Sequence, residues 1–507
     1  MIKNFYLIHP FLFAILSAVF LWGQNFGEVP LREVFPTLVV LIVFGGLVLF
    51  LSWIFFRDFE KSAIISSIFL VITLSFDYVN NIFFYNSFIQ LRWRWVFLIL
   101  FLIFAVLLFL VKKTKRDLLN VNKAMAIAAG TFILISFFQI VSGYCTACLD
   151  IKNNDIEIII DGEINQLRDI YYIILDGYSS PEVIRNVMGL EEIDQMASSL
   201  KEKGFFIANK SKSNYTRTLF SLSSSLNMSY LQNPSANKRH FMLAEDHRAK
   251  DFLKSYGYKY FHFGADSFTY FNRYADENIN LGLLSPYQTI VWHNTLFMPV
   301  QTLFRAKFGI RADNFGFLDR RLTQWKREKF KLQKLAEISN KENSPVFVFA
   351  HFLVPKGPYV FDENGDFLTE EESDNRGIIK NYLGQIMYIN KEIENLVDIL
   401  LKNSDPEPII IIQGDHGFPF SDRLNLEEFA QPDCAKELIV PDAYSFPILN
   451  AYYFPEDGDK LLYDSITPVN TFRILFNYYF GQNFILLDDI SYTSDPNNDS
   501  KFMSWDK

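Results

Sequence analysis

Two carboxylates and two imidazoles stand at or just beyond the ends of short apolar runs in the second half of this chain. Asp176 follows Ile170 to Leu175, His351 follows Val346 to Ala350, and Asp415 with His416 come shortly after Ile409 to Ile412. Asp, Asp and His suit a divalent ion of intermediate softness such as zinc or manganese. The neighbouring Gly177, Gly414 and Gly417 let the backbone turn so that the carboxylates face it. Each piece alone is weak, because Asp-Gly after a strand is a turn more often than a ligand. Their joint placement carries the inference.

A metal ringed by carboxylates needs a group to activate, and Thr218 supplies one. It stands immediately before the apolar run Leu219 to Met228 and reads as a helix N-cap. A hydroxyl there sees the free N–H groups and positive end of the helix, which also cradle phosphate or sulfate, and a metal bond would lower its pKa. A plain capping threonine is the competing reading, and Thr216 is the other candidate nucleophile. The strand-end groups tip the balance to Thr218. His9 lies in a membrane span, while His240, His247, His262 and His293 have no acidic partner at ligand spacing and read as structural.

The elements that must position these groups alternate. Strands are expected at Ile170–Leu175, Tyr258–Phe263, Val346–Phe349 and Ile409–Ile412. Helices are expected at Leu190–Lys203, Asp246–Ser255, Arg320–Ile338, Ile379–Leu401 and Thr467–Phe480. Continuous rather than alternating apolar strands, separated by helices, predict a mostly parallel sheet covered on both faces. Ligands then bind beyond the carboxyl ends of the strands, where Asp176, His351, Asp415 and His416 fall.

The first half is a different material. The chain is 50% hydrophobic, with 53 Phe and 25 Tyr, more aromatic surface than a soluble enzyme of this size carries. Uncharged runs at Asn4–Gly27, Thr37–Phe56, Ser62–Phe76, Trp95–Val111 and Ala124–Cys148 predict five membrane spans, the third short and ending against Asp77. Lys112, Lys113, Lys115, Arg116 and Lys123 against Asp117 mark a cytoplasmic loop, which puts the N-terminus inside and everything after the fifth span outside. Arg92 and Arg94, beside Trp93 and Trp95, fit this orientation poorly. The expected division is a transmembrane domain over 1–149 and an extracytoplasmic catalytic domain over 150–507.

Up to residue 150 there are 11 Lys and Arg against 7 Asp and Glu; beyond it, 37 against 50. That acidic second half argues against nucleic acid as a partner. Three cysteines exclude a disulfide scaffold. Cys145 and Cys148, where the fifth span ends, are open to reading as a juxtamembrane disulfide, inert thiols, a redox pair or a lipidation site, and Cys434 has no evident partner.

The order of strand-end Asp176, Thr218 at a helix start, His351 to Pro355, and Asp415-His416-Gly417 resembles the alkaline phosphatase superfamily. It is especially similar to sulfatase-like membrane enzymes such as lipoteichoic acid synthases and phosphoethanolamine transferases, which also carry about five N-terminal spans. The resemblance implies an α/β/α sulfatase-like domain with Asp176, Thr218, Asp415 and His416 as metal ligands. It makes Thr218 the nucleophile as well, and His351 a contact to the substrate anion. Lys356 stands where many relatives have a second histidine and offers a cation to a phosphoryl or sulfuryl oxygen. No histidine follows His416, so one divalent ion is expected, manganese or zinc ahead of magnesium or calcium.

The resemblance also implies a bacterial cytoplasmic-membrane enzyme that moves a phosphoryl-linked head group, such as phosphoethanolamine or phosphoglycerol, from a lipid donor to a glycan or to water. A sulfuric ester hydrolase and a non-catalytic protein with a degenerate domain are the alternatives. The sequence from Thr218 lacks the C/S-x-P-x-R pattern within which true sulfatases mature a Cys or Ser to formylglycine.

Overall fold

The computed structural model describes residues 5–25, 29, 31–85, 93–150, 166–231, 237–265, 269–281, 284–301, 320–338, 344–419, 444–495 and 498–505. Arg92 and Cys434 lie outside these residues, as does Glu28. The chain forms two compact units, Met1–Asn153 with Leu284–Leu318, and Asn154–Leu283 with Asp319–Lys507. The division expected at residue 150 assigned Leu284–Leu318 to the catalytic half. Of that stretch, residues 284–301 pack with the N-terminal helices.

The first unit contains α1 (His9–Gln24), α2 (Leu31–Phe56), α3 (Phe59–Leu74), α4 (Phe76–Tyr85), α5 (Trp93–Lys113) and α6 (Leu119–Asp150). Four stretches, Tyr6–Gln24, Leu31–Phe56, Trp93–Lys113 and Leu119–Val141, are long and apolar enough to cross a bilayer. Large apolar side chains such as Val43, Phe109 and Phe138 are exposed on them, as lipid-facing surface requires. The protein is an integral membrane protein.

The third expected span departs from a simple crossing. Asp58 caps its start by accepting from the N–H groups of Glu60 and Lys61, but α3 has only 16 residues. That is about 24 Å of helix against a hydrocarbon core of roughly 30 Å. The chain breaks at Ser75 and resumes as α4. His9 joins three helices from the bundle interior, with Nδ1 2.6 Å from Ser67 Oγ and Nε2 2.9 Å from Asn122 Oδ1.

The second unit is built on a seven-stranded sheet. In chain order its strands are β1 (Ile170–Leu175), β2 (Phe206–Ile207), β3 (Lys259–Phe263), β4 (Glu277–Asn278), β5 (Val346–Phe352), β6 (Ile409–Gly414) and β7 (Asn450–Tyr453), arranged β2-β7-β6-β1-β5-β3-β4. β7 pairs antiparallel with both β6 and β2, and the other pairings are parallel. A separate hairpin joins β8 (Tyr492–Asp495) to β9 (Asn498–Ser504).

Both faces of the central strands are buried, which explains their unbroken apolar sequences. Tyr171, Ile173 and Leu175 face one core with the helices Arg320–Ile338 and Ile378–Asn403. Ile170, Tyr172 and Ile174 face another with Thr218–Asn227, Arg248–Ser255 and Pro468–Phe480. This is the expected α/β architecture, helices on both sides of a mostly parallel sheet. β5 is longer than its expected Val346–Phe349 and carries His351 inside the strand.

Candidate active site

β1 is the middle of three adjacent parallel strands, and their register brings the expected groups together. Leu175 pairs with Phe352 on β5 and with Gly414 on β6, so Asp176, His351 and Asp415 sit within one residue of a common level at the strand ends. Asp176 N donates to Phe352 O at 2.9 Å, and Lys356 N donates to Asp176 O at 3.1 Å, which folds the segment after β5 back over the aspartate. Gly414 is required by packing, since a Cβ there would lie 2.4 Å from Tyr178 O. Gly177 is required by its backbone, at φ +73°.

Asp176 is the hub. Its carboxylate is almost fully buried, with Oδ1 2.9 Å from Lys356 Nζ and 3.5 Å from His416 Nε2, and Oδ2 3.4 Å from His351 Nε2. Burial by itself pushes its pKa up, but the Lys356 charge, followed by His351 and His416, outweighs that and holds the carboxyl well below the usual carboxylate range. Asp415 Oδ1 accepts from Gly177 N at 2.9 Å, and Oδ2 lies 3.5 Å from His416 Nε2.

These groups fit a divalent ion. Asp176, Asp415 and His416 are buried and offer donor atoms within 4.8 Å of one another. Asp415 Oδ2 is buried without a hydrogen-bond partner, and Asp176 Oδ1 faces Lys356 as an ion pair without hydrogen-bond geometry. Buried carboxylate oxygens left in this way call for a cation. His416 Nδ1 lies 2.7 Å from Gly417 O, a contact that requires Nδ1 to donate and makes Nε2 the ring nitrogen on offer to an ion. Two carboxylates, an imidazole and a hydroxyl match the preferences of zinc or manganese. No other group of three such side chains converges among the described residues.

Thr218 is brought to the same place, but not as a cap. The helix Thr218–Asn227 has Arg217 as its N-cap residue, extended at φ −124° and ψ 132°, and no side chain caps it. Thr218 is therefore the first helical residue, and its hydroxyl is directed to the site. Oγ1 lies 3.3 Å from His416 Nε2 and accepts from Lys356 Nζ at 3.2 Å. The uncapped N–H groups of the first turn remain available to an anion. Thr216 is half-buried in the preceding loop.

Several supporting groups have no sequence signal. Thr269 Oγ1 lies 2.9 Å from His351 Nδ1, from a segment more than eighty residues earlier, and its carbonyl contacts His262 Nε2 at 2.6 Å. Lys331 donates to His351 O at 2.6 Å and pairs at 2.8 Å with Glu328, both side chains buried. Gln385 Nε2 donates to Pro355 O at 2.8 Å and Lys356 O at 3.2 Å, while Tyr382 OH donates to Gly177 O at 2.8 Å. A register of apolar runs reveals strand ends, but not which distant polar side chains brace them. His247 and His262 are buried in contact with Tyr260, as structural histidines.

A family model described as Sulfatase matches residues 168–472. No curated protein matches the sequence significantly. Among solved structures, the C-terminal periplasmic domain of EcEptC from Escherichia coli, in complex with zinc, is similar at 13% identity and a TM-score of 0.44, over 68% of this chain and 94% of that one. The integral membrane lipooligosaccharide phosphoethanolamine transferase A of Neisseria meningitidis is similar at 14% identity and a TM-score of 0.37, over 89% of each chain. A Vibrio parahaemolyticus protein of the alkaline phosphatase superfamily is similar at 12% identity and a TM-score of 0.39, over 65% of this chain and 73% of that one. The sequence match covers more than half of a chain whose second unit is the expected α/β domain, and on it the protein belongs to the sulfatase family, here carried on membrane helices.

Proposed function

We propose that the protein transfers a phosphoryl-linked head group, such as phosphoethanolamine or phosphoglycerol, from a membrane lipid to a glycan hydroxyl or to water. The catalytic unit works on the outer side of a bacterial cytoplasmic membrane. The observation that carries this reading is Thr218, an unmodified hydroxyl free of any capping role, held between Lys356 Nζ and His416 Nε2 at an uncapped helix start.

Asp176, Asp415, His416 and Thr218 would hold one divalent ion, zinc or manganese, which would supply Lewis-acid stabilisation and a lowered hydroxyl pKa. Lys356 keeps a positive charge 3.2 Å from the attacking oxygen and stabilises it as the proton leaves. Thr218 Oγ bonds to phosphorus as the bond to the donor oxygen breaks in line. His351, Lys356 and the first-turn N–H groups hold the charge that gathers on the phosphoryl oxygens. A second hydroxyl then displaces Thr218 and restores it.

Sulfate esters are the competing substrate, favoured by the name of the family. Formylglycine chemistry expels sulfate through a geminal diol, an exit that threonine lacks, whereas phosphothreonine is open to a second in-line attack. The full-length protein in lipid should turn over glycerophospholipid or other phosphodiester substrates far faster than aryl sulfates. Thr218→Ala should abolish turnover and covalent labelling, while Thr216→Ala reduces it modestly. Faster aryl sulfate turnover, formylglycine in the peptide map, or labelling that survives in Thr218→Ala would overturn the reading.

A further inference from the structure

The stretch from Leu284, although flanked on both sides by catalytic sequence, packs inside the membrane unit. Its helix Pro286–His293 is capped by Ser285 in a capping box with Gln288. Tyr287 is buried and donates from its hydroxyl to Ala18 O of α1 at 2.9 Å, and Gln288 Nε2 reaches Glu33 O of α2 at 3.4 Å. Tyr287 and Val291 share an apolar cluster with Ala14, Ala18, Leu41, Leu70 and Leu74.

Beyond this helix the chain meets the break between α3 and α4. Leu296 N donates to Thr73 O at 2.8 Å, and Asp77 N donates to Asn294 O at 3.1 Å. Asn294 Nδ2 adds a bond to Tyr78 OH at 3.2 Å. A broken helix in hydrocarbon must have its freed backbone groups satisfied by protein, because lipid offers no partner. This segment supplies partners for two of them.

The depth it reaches follows from Phe297. Its ring meets Phe44 edge-on at 5.9 Å between centroids. Phe44 lies thirteen residues into α2, roughly 20 Å along a helix that spans the whole bilayer core. Phe297 also lines an open apolar cavity of about 460 Å³ with Leu47, Leu51, Phe69, Phe104 and Leu108. The cavity's one hydroxyl, Ser52 Oγ, already accepts from Ser66 at 3.0 Å. Such a lining offers water few polar partners and suits hydrocarbon level.

We propose that residues 284–301 form a re-entrant element that enters the bilayer from the end where α1 finishes and α2 begins, and reaches about its middle. The membrane domain is then completed by catalytic-half sequence, and the catalytic half is tied to the membrane at a second point besides α6. This inference is independent of the reaction proposed above.

The test uses two residues of this segment that protein covers only in part. Ile290 is 44% exposed and Phe297 37% exposed, so water would reach both if no lipid did. With Cys145, Cys148 and Cys434 replaced by Ser, Ile290→Cys and Phe297→Cys are made in the full-length protein in lipid nanodiscs, with exposed Glu371→Cys as reference. A charged, membrane-impermeant maleimide should label both test positions at least about tenfold more slowly than the reference, because hydrocarbon excludes the reagent and disfavours the reacting thiolate. Fast labelling at Ile290→Cys, the more exposed and less perturbing site, would overturn the proposal even if Phe297→Cys disturbed the fold.

Discussion

Replacing Lys331 by Met probes how the end of β5 is held in place. Lys331 is 1% exposed, and its ammonium pairs with Glu328 Oε2 at 2.8 Å and donates to His351 O at 2.6 Å. Methionine keeps the apolar stem but leaves a fully buried carboxylate supported by Gln324 Nε2 at 2.6 Å and the Leu353 backbone. Breaking one side of a buried pair costs about 3–5 kcal/mol, because the remaining charge stays desolvated. The His351 carbonyl also loses its donor, so the imidazole should be less well fixed and turnover should fall with stability.

The pH dependence of that cost separates charge from packing. Burial raises the Glu328 pKa above its ordinary 4.5, with Lys331 opposing the shift, so Lys331→Met should raise it further. An acid whose folded pKa lies above its unfolded value contributes stability that is complete below the unfolded pKa and is lost as pH rises through the folded one. The destabilisation should therefore be small near pH 4.5 and large at pH 8. Glu328→Gln combined with Lys331→Met should recover most of it. Thermal unfolding midpoints of the full-length protein in nanodiscs across that range are the assay. A deficit equal at both pH values, or a double variant no better than Lys331→Met, would refute the reasoning.

Two further outcomes follow from the site and the charge pattern. Elemental analysis of the purified full-length protein should find one zinc or manganese per chain, and Asp176→Ala or Asp415→Ala should lose it with the fold retained, since loss of a ligand acts locally; unchanged stoichiometry in both would remove these residues from the metal site. Phosphatase and fluorescent-protein fusions after residue 120 and after residue 160 should report opposite sides of the membrane, because the positive charge of the Lys112 to Lys123 loop favours the cytoplasmic side; the same side for both would overturn the orientation.

What could be read in the sequence follows from which forces act locally. Ile170 to Leu175 and Ile409 to Ile412 are unbroken apolar runs because both sheet faces are covered, so the strands and their polar ends are visible without any structure. Arg320–Ile338 is recovered residue for residue, because its periodic charges and apolar positions are a local signal. The N-cap reading of Thr218 failed because capping depends on the backbone of the residue before it, and Arg217 took that place. The break that follows the short third span has a non-local cause. Nothing between residues 59 and 85 announces that Asn294 and Leu296 will satisfy a break in the helix. The same limit hides Thr269 and Lys331, whose importance exists only once β5 lies beside their own elements.

The placement of Lys356 bears on how many ions the site needs. Asp176 and Asp415 bring two negative charges, and Lys356 returns one positive charge 2.9 Å from Asp176. Its backbone is fixed by Asp176 O on one side and Gln385 on the other, so the charge is held near the site although the side chain is 35% exposed. With one divalent ion the ensemble stands near +1, which matches the single charge of a phosphodiester. A second divalent ion would raise it to about +3 with no buried carboxylate left to balance it among the described residues gathered here. If the site holds one divalent ion, as proposed above, a lysine in this position would complete the charge balance of a singly charged tetrahedral ester without a second metal cluster.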